Sequence, residues 1–151
     1  MTRPEKPHVL LVDDNEAVCT LVAAVLRHDF AVDCLHDGVE AVERLRITNY
    51  AAILLDLRMP NLDGFGVLQF LKETCPNTHG HVLILTAAPS PANMARVKEY
   101  GVCGIVTKPF EVETLLSAVK DCVGEDGRSI GSILSTGVIL LLADFLKQRF
   151  L

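Results

Sequence analysis

AAILLDLRMPNLDG, residues 51–64, is the stretch that decides the fold. Ala51 to Leu55 is aliphatic without alternation, as expected of a strand covered on both faces, and such strands belong to parallel sheets flanked by helices. Asp56 ends the run. From Gly64 to Thr74 the spacing turns helical, with Phe65, Leu68 and Leu71 facing inward.

Outward from there the pattern repeats. His8 to Val12, Phe30 to Leu35, His81 to Leu85 and Cys103 to Val106 read as four more strands, each followed by a segment of helical period. Ala17, Leu21, Ala24, Val25 and Leu26 outline the apolar stripe of the first helix; Val39, Val42, Leu45 and Arg46 outline the second. Ser90 followed by Pro91 opens the fourth, which closes near Gly101. Glu111 to Val123 makes the fifth, with Val112, Leu115, Leu116 and Val119 as its buried face. The expectation is an α/β domain with a doubly wound five-stranded parallel sheet, over residues 1–124.

Length and composition agree with one such domain. The chain has 151 residues, half of them hydrophobic and 22% charged, enough for one core plus an appendage. A net charge of −5 leaves no basic footprint, so direct nucleic-acid binding is not expected. The cysteines at 19, 34, 75, 103 and 122 are odd in number and scattered without a CxxC pair; they read as small buried hydrophobes of a reducing, cytoplasmic environment. The N-terminus MTRPEKPH has no apolar stretch of a signal peptide. His8, His28, His36, His79 and His81 read as surface or strand-start residues.

In doubly wound sheets, ligands sit outside the carboxyl ends of the strands. Reading just past each strand end gives Asp13 and Asp14, Asp56, Thr86 and Lys108. Three carboxylates at one rim repel each other unless a cation offsets them, and oxygen ligands of this kind suit Mg²⁺ better than zinc or copper. The rest of the set suits phosphoryl transfer, which is catalysed by positioning and by neutralising charge on the equatorial oxygens. Asp56 would be the nucleophile, Lys108 a point charge and Thr86 a hydroxyl donor. Asp13 and Asp14 have a plainer reading as caps of the first helix.

The runs VLLVDDN, ILLDLRMPNLDG, LILTA and VTKPF, in this order, resemble the receiver domain of two-component response regulators over roughly residues 8 to 123. The resemblance implies a flavodoxin-like fold and a phosphoryl group accepted on Asp56 from a sensor histidine kinase or phosphotransfer protein. The domain would be a phosphoacceptor switch rather than an enzyme, assisting its own phosphorylation and hydrolysis and acting on a downstream protein. It further implies Mg²⁺ held directly by Asp14, Asp56 and the backbone carbonyl of Arg58, with Asp13 acting through water. Thr86 and Lys108 match the switch hydroxyl and the phosphate-binding lysine, Lys108–Pro109 matches a cis peptide, and Pro60, Asp63 and Gly64 match the turn after the acceptor. Two features depart from the family. Ile105 stands where Tyr or Phe is usual, and Arg58 and Ala88 fill variable positions near the acceptor and the threonine.

Competing readings meet specific absences. A haloacid-dehalogenase-like phosphatase requires DxDxT after the first strand, where this chain has DDNEA, and a flavin or nucleotide module requires a Gly-rich phosphate loop. A phosphorylation-independent adaptor built on the same fold remains compatible with the sequence. Beyond the domain, residues 125–132 read as a linker and 133–151, ILSTGVILLLADFLKQRFL, as an apolar C-terminal helix capped by Thr136. Ile133 to Leu146 is 14 residues long, short of the ~20 that span a membrane. Such a helix calls for burial on the domain or in a homodimer, ahead of contact with a membrane surface.

Overall fold

The computed structural model describes residues 5–87 and 89–124, without the side chains of Asn77 and His79. Five strands alternate with five helices: β1 (His8–Val12), α1 (Glu16–Leu26), β2 (Ala31–Leu35), α2 (Gly38–Leu45), β3 (Ala52–Asp56), α3 (Gly64–Thr74), β4 (Val82–Thr86), α4 (Pro91–Glu99), β5 (Gly104–Thr107) and α5 (Val112–Val123). A 3₁₀ turn, Pro76–His81, joins α3 to β4. All pairings are parallel, in the order β2-β1-β3-β4-β5. The doubly wound sheet is therefore as the sequence pattern predicts. The expected linker, the C-terminal helix with its Thr136 cap, and Ala88 lie outside the described residues.

The central strands β3 and β4 are buried along their whole length, as pure aliphatic runs require. One core, on the side of α2, α3 and α4, includes Ile53, Leu55, Leu68 and Ile84; the other, under α1 and α5, includes Leu54, Leu83, Leu85 and Leu115. Alternate residues of one strand thus serve opposite layers.

Two helix faces, those of α1 and α2, are rotated from the predicted ones. In α1 the buried residues are Cys19, Val22 and Leu26, while Leu21 is 51% exposed. In α2 they are Gly38, Ala41 and Leu45, with Val39 turned out at 45%. In α5 the predicted face holds: Leu115 and Val119 are buried together with Cys122 and Val123, Leu116 packs against them, and Val112 in the first turn is the exception at 46% exposed. In α1 and α2 the buried positions include small residues, Cys19, Gly38 and Ala41, which let a helix lie close to the sheet. β1 and β2 end as the sequence reading has them, while β3, β4 and β5 run one residue further, because Asp56 pairs with Leu85 and Thr86 with Thr107 in the ladder.

The cysteines depart from expectation too. Cys103 and Cys122 form a disulfide, their Cα atoms 5.7 Å apart, because the residue before β5 lies against the last turn of α5. Cys19, Cys34 and Cys75 carry free thiols. Among the described residues no helix is long and apolar enough to cross a membrane.

One close approach joins fold to rim. The Gly64 amide donates to the Leu57 carbonyl at 3.1 Å, and a Cβ at Gly64 would collide with the backbone oxygen of Asp56 and come within 2.8 Å of Leu57 Cα. Only glycine lets α3 start this near β3. Gly64→Ala is expected to lower stability by about 1–3 kcal/mol, the usual cost of overpacking. Urea denaturation checks this; an unchanged midpoint would contradict the contact.

Candidate functional site

Each rim residue is placed by the end of its strand. Val12 pairs with Leu55, so Asp13 follows beside Asp56; Thr86 ends β4, and the Lys108 amide donates to the Thr86 carbonyl at 2.8 Å just beyond β5. The Lys108–Pro109 peptide is cis. The structure thus brings Asp13, Asp14, Asp56 and Lys108 together, with Thr86 on the adjoining strand.

Asp13 is fully buried, Asp56 is 6% exposed and Asp14 faces solvent. Lys108 Nζ lies 2.5 Å from Asp13 Oδ2 and 3.7 Å from Asp56 Oδ2. The Asn15 amide donates to Asp13 Oδ1 at 2.9 Å, and the Arg58 amide to Asp56 Oδ1 at 3.4 Å. The helix cap is Asn15, whose side chain accepts from the Ala17 and Val18 amides, so neither aspartate caps α1. Asp63 caps α3 through the Gly66 amide at 2.9 Å, closing the turn that carries Arg58 and Pro60.

Burial, followed by the charge of Asp13, pushes the Asp56 carboxyl up to about 6; Lys108 and the Arg58 amide pull against this. One oxygen from each of Asp13, Asp14 and Asp56 lies within 4.8 Å of the others. All three are hard oxygen donors, and Asp14 also lines an open pocket with Leu57, Arg58, Met59, Pro60 and Asp63. Their chemistry fits a small divalent cation such as Mg²⁺.

Two neighbours escape the sequence reading. His36 Nδ1 lies 3.3 Å from the Asp13 carbonyl oxygen, and the Cys19 thiol donates to the same oxygen at 3.3 Å. The Val12↔Leu35 register carries the signal for His36, since the next residue of each strand must then be adjacent. Nothing in the local sequence marks Cys19. At Ile105 the side chain is buried with Met94 and Val97 of α4, so no ring stands ready to reorient there.

Comparisons with known proteins agree with this arrangement. The sequence profile of the family described as response regulator receiver domain matches residues 9–120. Chemotaxis protein CheY of Halobacterium salinarum is 31% identical over 114 residues, covering 75% of this chain and 93% of that protein. The transcriptional regulatory protein YkoG of Bacillus subtilis is 32% identical over 135 residues, which are 87% of this chain and 58% of YkoG. The first curated relatives are longer: the chain spans about half the length of two of them and 19% of a third. Among solved structures, the receiver domain of sensor histidine kinase PA1611 from Pseudomonas aeruginosa, with a magnesium ion in its active site cleft, has a TM-score of 0.71 and 27% identity. That match covers 80% of this chain and 99% of that one. The chain belongs to the response regulator receiver domain family of two-component signalling.

Because the folded-state value of Asp56 is raised above the unfolded one, its negative charge costs stability. The cost grows as pH rises from the unfolded carboxylate range to about 6 and is fully present above that. In metal-free buffer Asp56→Asn is therefore expected to exceed wild type in stability at pH 7.5, by up to about 3 kcal/mol, and to lose the advantage near pH 4. Urea denaturation with a chelator present measures it; equal stability at both pH values would contradict the assignment.

Proposed function

We propose that Asp56 accepts a phosphoryl group from a sensor histidine kinase or a phosphotransfer protein, and that the domain signals through protein–protein contacts. The observation that carries this reading is the buried Asp56 carboxylate, 3.7 Å from the Lys108 ammonium and flanked by Asp13 and Asp14. A carboxylate oxygen of Asp56 attacks phosphorus, the bond to the donor nitrogen breaks, and the donor histidine leaves with the electron pair. The Arg58 amide holds the other Asp56 oxygen and so orients the attack. Lys108, released from Asp13, turns to a phosphoryl oxygen; the Thr86 hydroxyl donates to another.

Asp14, Asp56 and the Arg58 carbonyl would hold Mg²⁺ directly, with Asp13 acting through water. Bound there, the ion supplies the positive charge that offsets the carboxylates and the equatorial phosphoryl oxygens. Movement of Thr86 and Lys108 toward the phosphoryl group biases the loop after β4 and the surface of α4 and α5 between two arrangements. Output is a change in affinity for a downstream protein. The reading places the domain in the cytoplasm as a switch rather than an enzyme of its own, with no direct nucleic-acid contact and with the 133–151 segment as a homodimer element, joined by 125–132.

With acetyl phosphate and Mg²⁺, wild type is expected to gain one phosphoryl mass, Asp56→Ala none, and Lys108→Ala to gain it about 10²-fold more slowly, the usual cost of removing one charge-stabilising donor. Intact-mass spectrometry decides: no gain in wild type, or a gain that persists in Asp56→Ala, would sink the reading. Deleting residues 128–151 should halve the mass measured by light scattering. An unchanged mass in a folded product would rule out a tail-mediated dimer.

A further inference from the structure

Cys103 immediately precedes β5, and Cys122 lies in the last turn of α5. Their disulfide closes a loop of 19 residues' separation that contains β5, Lys108 and most of α5. Since β5 runs from Cys103 toward Lys108, the bond sits at the edge of the sheet opposite the carboxylate rim. It ties the end of α5 to the start of the strand that delivers Lys108, two residues before Gly124.

The fold does not need this bond as a staple. Both faces of the sheet already carry a full apolar core, whereas the domains that depend on disulfides are those too small to build one. In a cytosolic setting, disulfides that do occur are mostly catalytic or redox-sensing. Exposure within the pair is also unequal: Cys103 is partly exposed and Cys122 is 1% exposed. A small reactant can therefore approach the pair from the side of residue 103, since residue 122 has almost no surface. Elsewhere burial pushes the Cys19 thiol up to about 12 and raises that of Cys34, so these hold little of the reactive thiolate.

We propose that Cys103 and Cys122 are a redox-modification site, a reversible dithiol–disulfide pair that reacts with small-molecule disulfides and whose oxidised form clamps the end of α5 to β5. In the forward direction the Cys103 thiolate attacks one sulfur of the small disulfide, forming a mixed disulfide and releasing one thiolate. The Cys122 thiolate then attacks the Cys103 sulfur and releases the second. Two electrons pass from the pair to the small disulfide, and the two cysteine protons end on the two released thiols. Reduction by a small thiol is the reverse exchange. The site is independent of the phosphoacceptor reading, because no rim residue takes part.

The test uses the full chain equilibrated with oxidised or reduced glutathione, quenched in acid, denatured and alkylated with a maleimide. Of the five cysteines, three should be alkylated after oxidised glutathione, with a peptide linking 103 to 122, and all five after native reduction. Cys122→Ala should stop at the mixed disulfide and keep a glutathionyl group on Cys103. Hydrogen exchange over residues 112–123 should be faster in the reduced wild type than in the oxidised one. Five adducts under every condition, a bond between other cysteines, one that native reduction leaves intact, or equal exchange in both forms would overturn the proposal.

Discussion

The arrangement depends on the Lys108–Asp13 ion pair at the carboxyl edge of the sheet. Asp13 has no exposed surface, and its neighbour Asp56 is almost as deeply buried. A buried carboxylate without a partner is strongly destabilising, so the ammonium at 2.5 Å from Asp13 and 3.7 Å from Asp56 is what lets both stay in place. The topology makes this pairing possible. Every strand is parallel, so every βα loop opens on the same side, and β1 and β3 are neighbours despite the two helices and the strand between them in sequence. Lys108 reaches in from the end of β5, two strands from β3 and three from β1, with its amide fixed to the Thr86 carbonyl.

This economy explains why so much was legible in the sequence. Aliphatic runs without alternation specify buried parallel strands, and the residues that end them must share one rim; Asp13, Asp14, Asp56, Thr86 and Lys108 follow from that rule alone. The caps at Ser90 and the start of α3 at Gly64 were equally readable. Helix rotation was not. An apolar stripe in α1 that includes Leu21 looks as good in sequence as one centred on Val22, and the packed helix buries the second, with Cys19 and Leu26. Nor could the sequence pair Cys103 with Cys122, since that contact depends on how far α5 runs back along β5. His36 was missed for a related reason: its role beside Asp13 comes from strand register, not from any motif.

Ile105 changes how the rim connects to the rest of the molecule. It is buried in the same apolar core as Met94 and Val97 of α4. Further restraint on α4 comes from α3: the Arg96 guanidinium sits 3.8 Å from the Phe65 ring centroid, and the Tyr100 hydroxyl donates to Gln69 Oε1 at 3.1 Å. Phe65 follows Gly64, whose backbone touches the Asp56 strand end. Static contacts thus run from the acceptor's strand end through α3 to α4 without an aromatic on β5.

The central claim is that this cluster of buried charges serves to load a phosphoryl group on one particular carboxylate. Borohydride reduces an acyl phosphate to an alcohol, so reduction of the phosphorylated chain followed by peptide mapping reads the acceptor directly. The account predicts the reduced side chain at position 56 and nowhere else; its appearance at Asp13 or Asp14, or its absence from a chain that has gained phosphoryl mass, would contradict it.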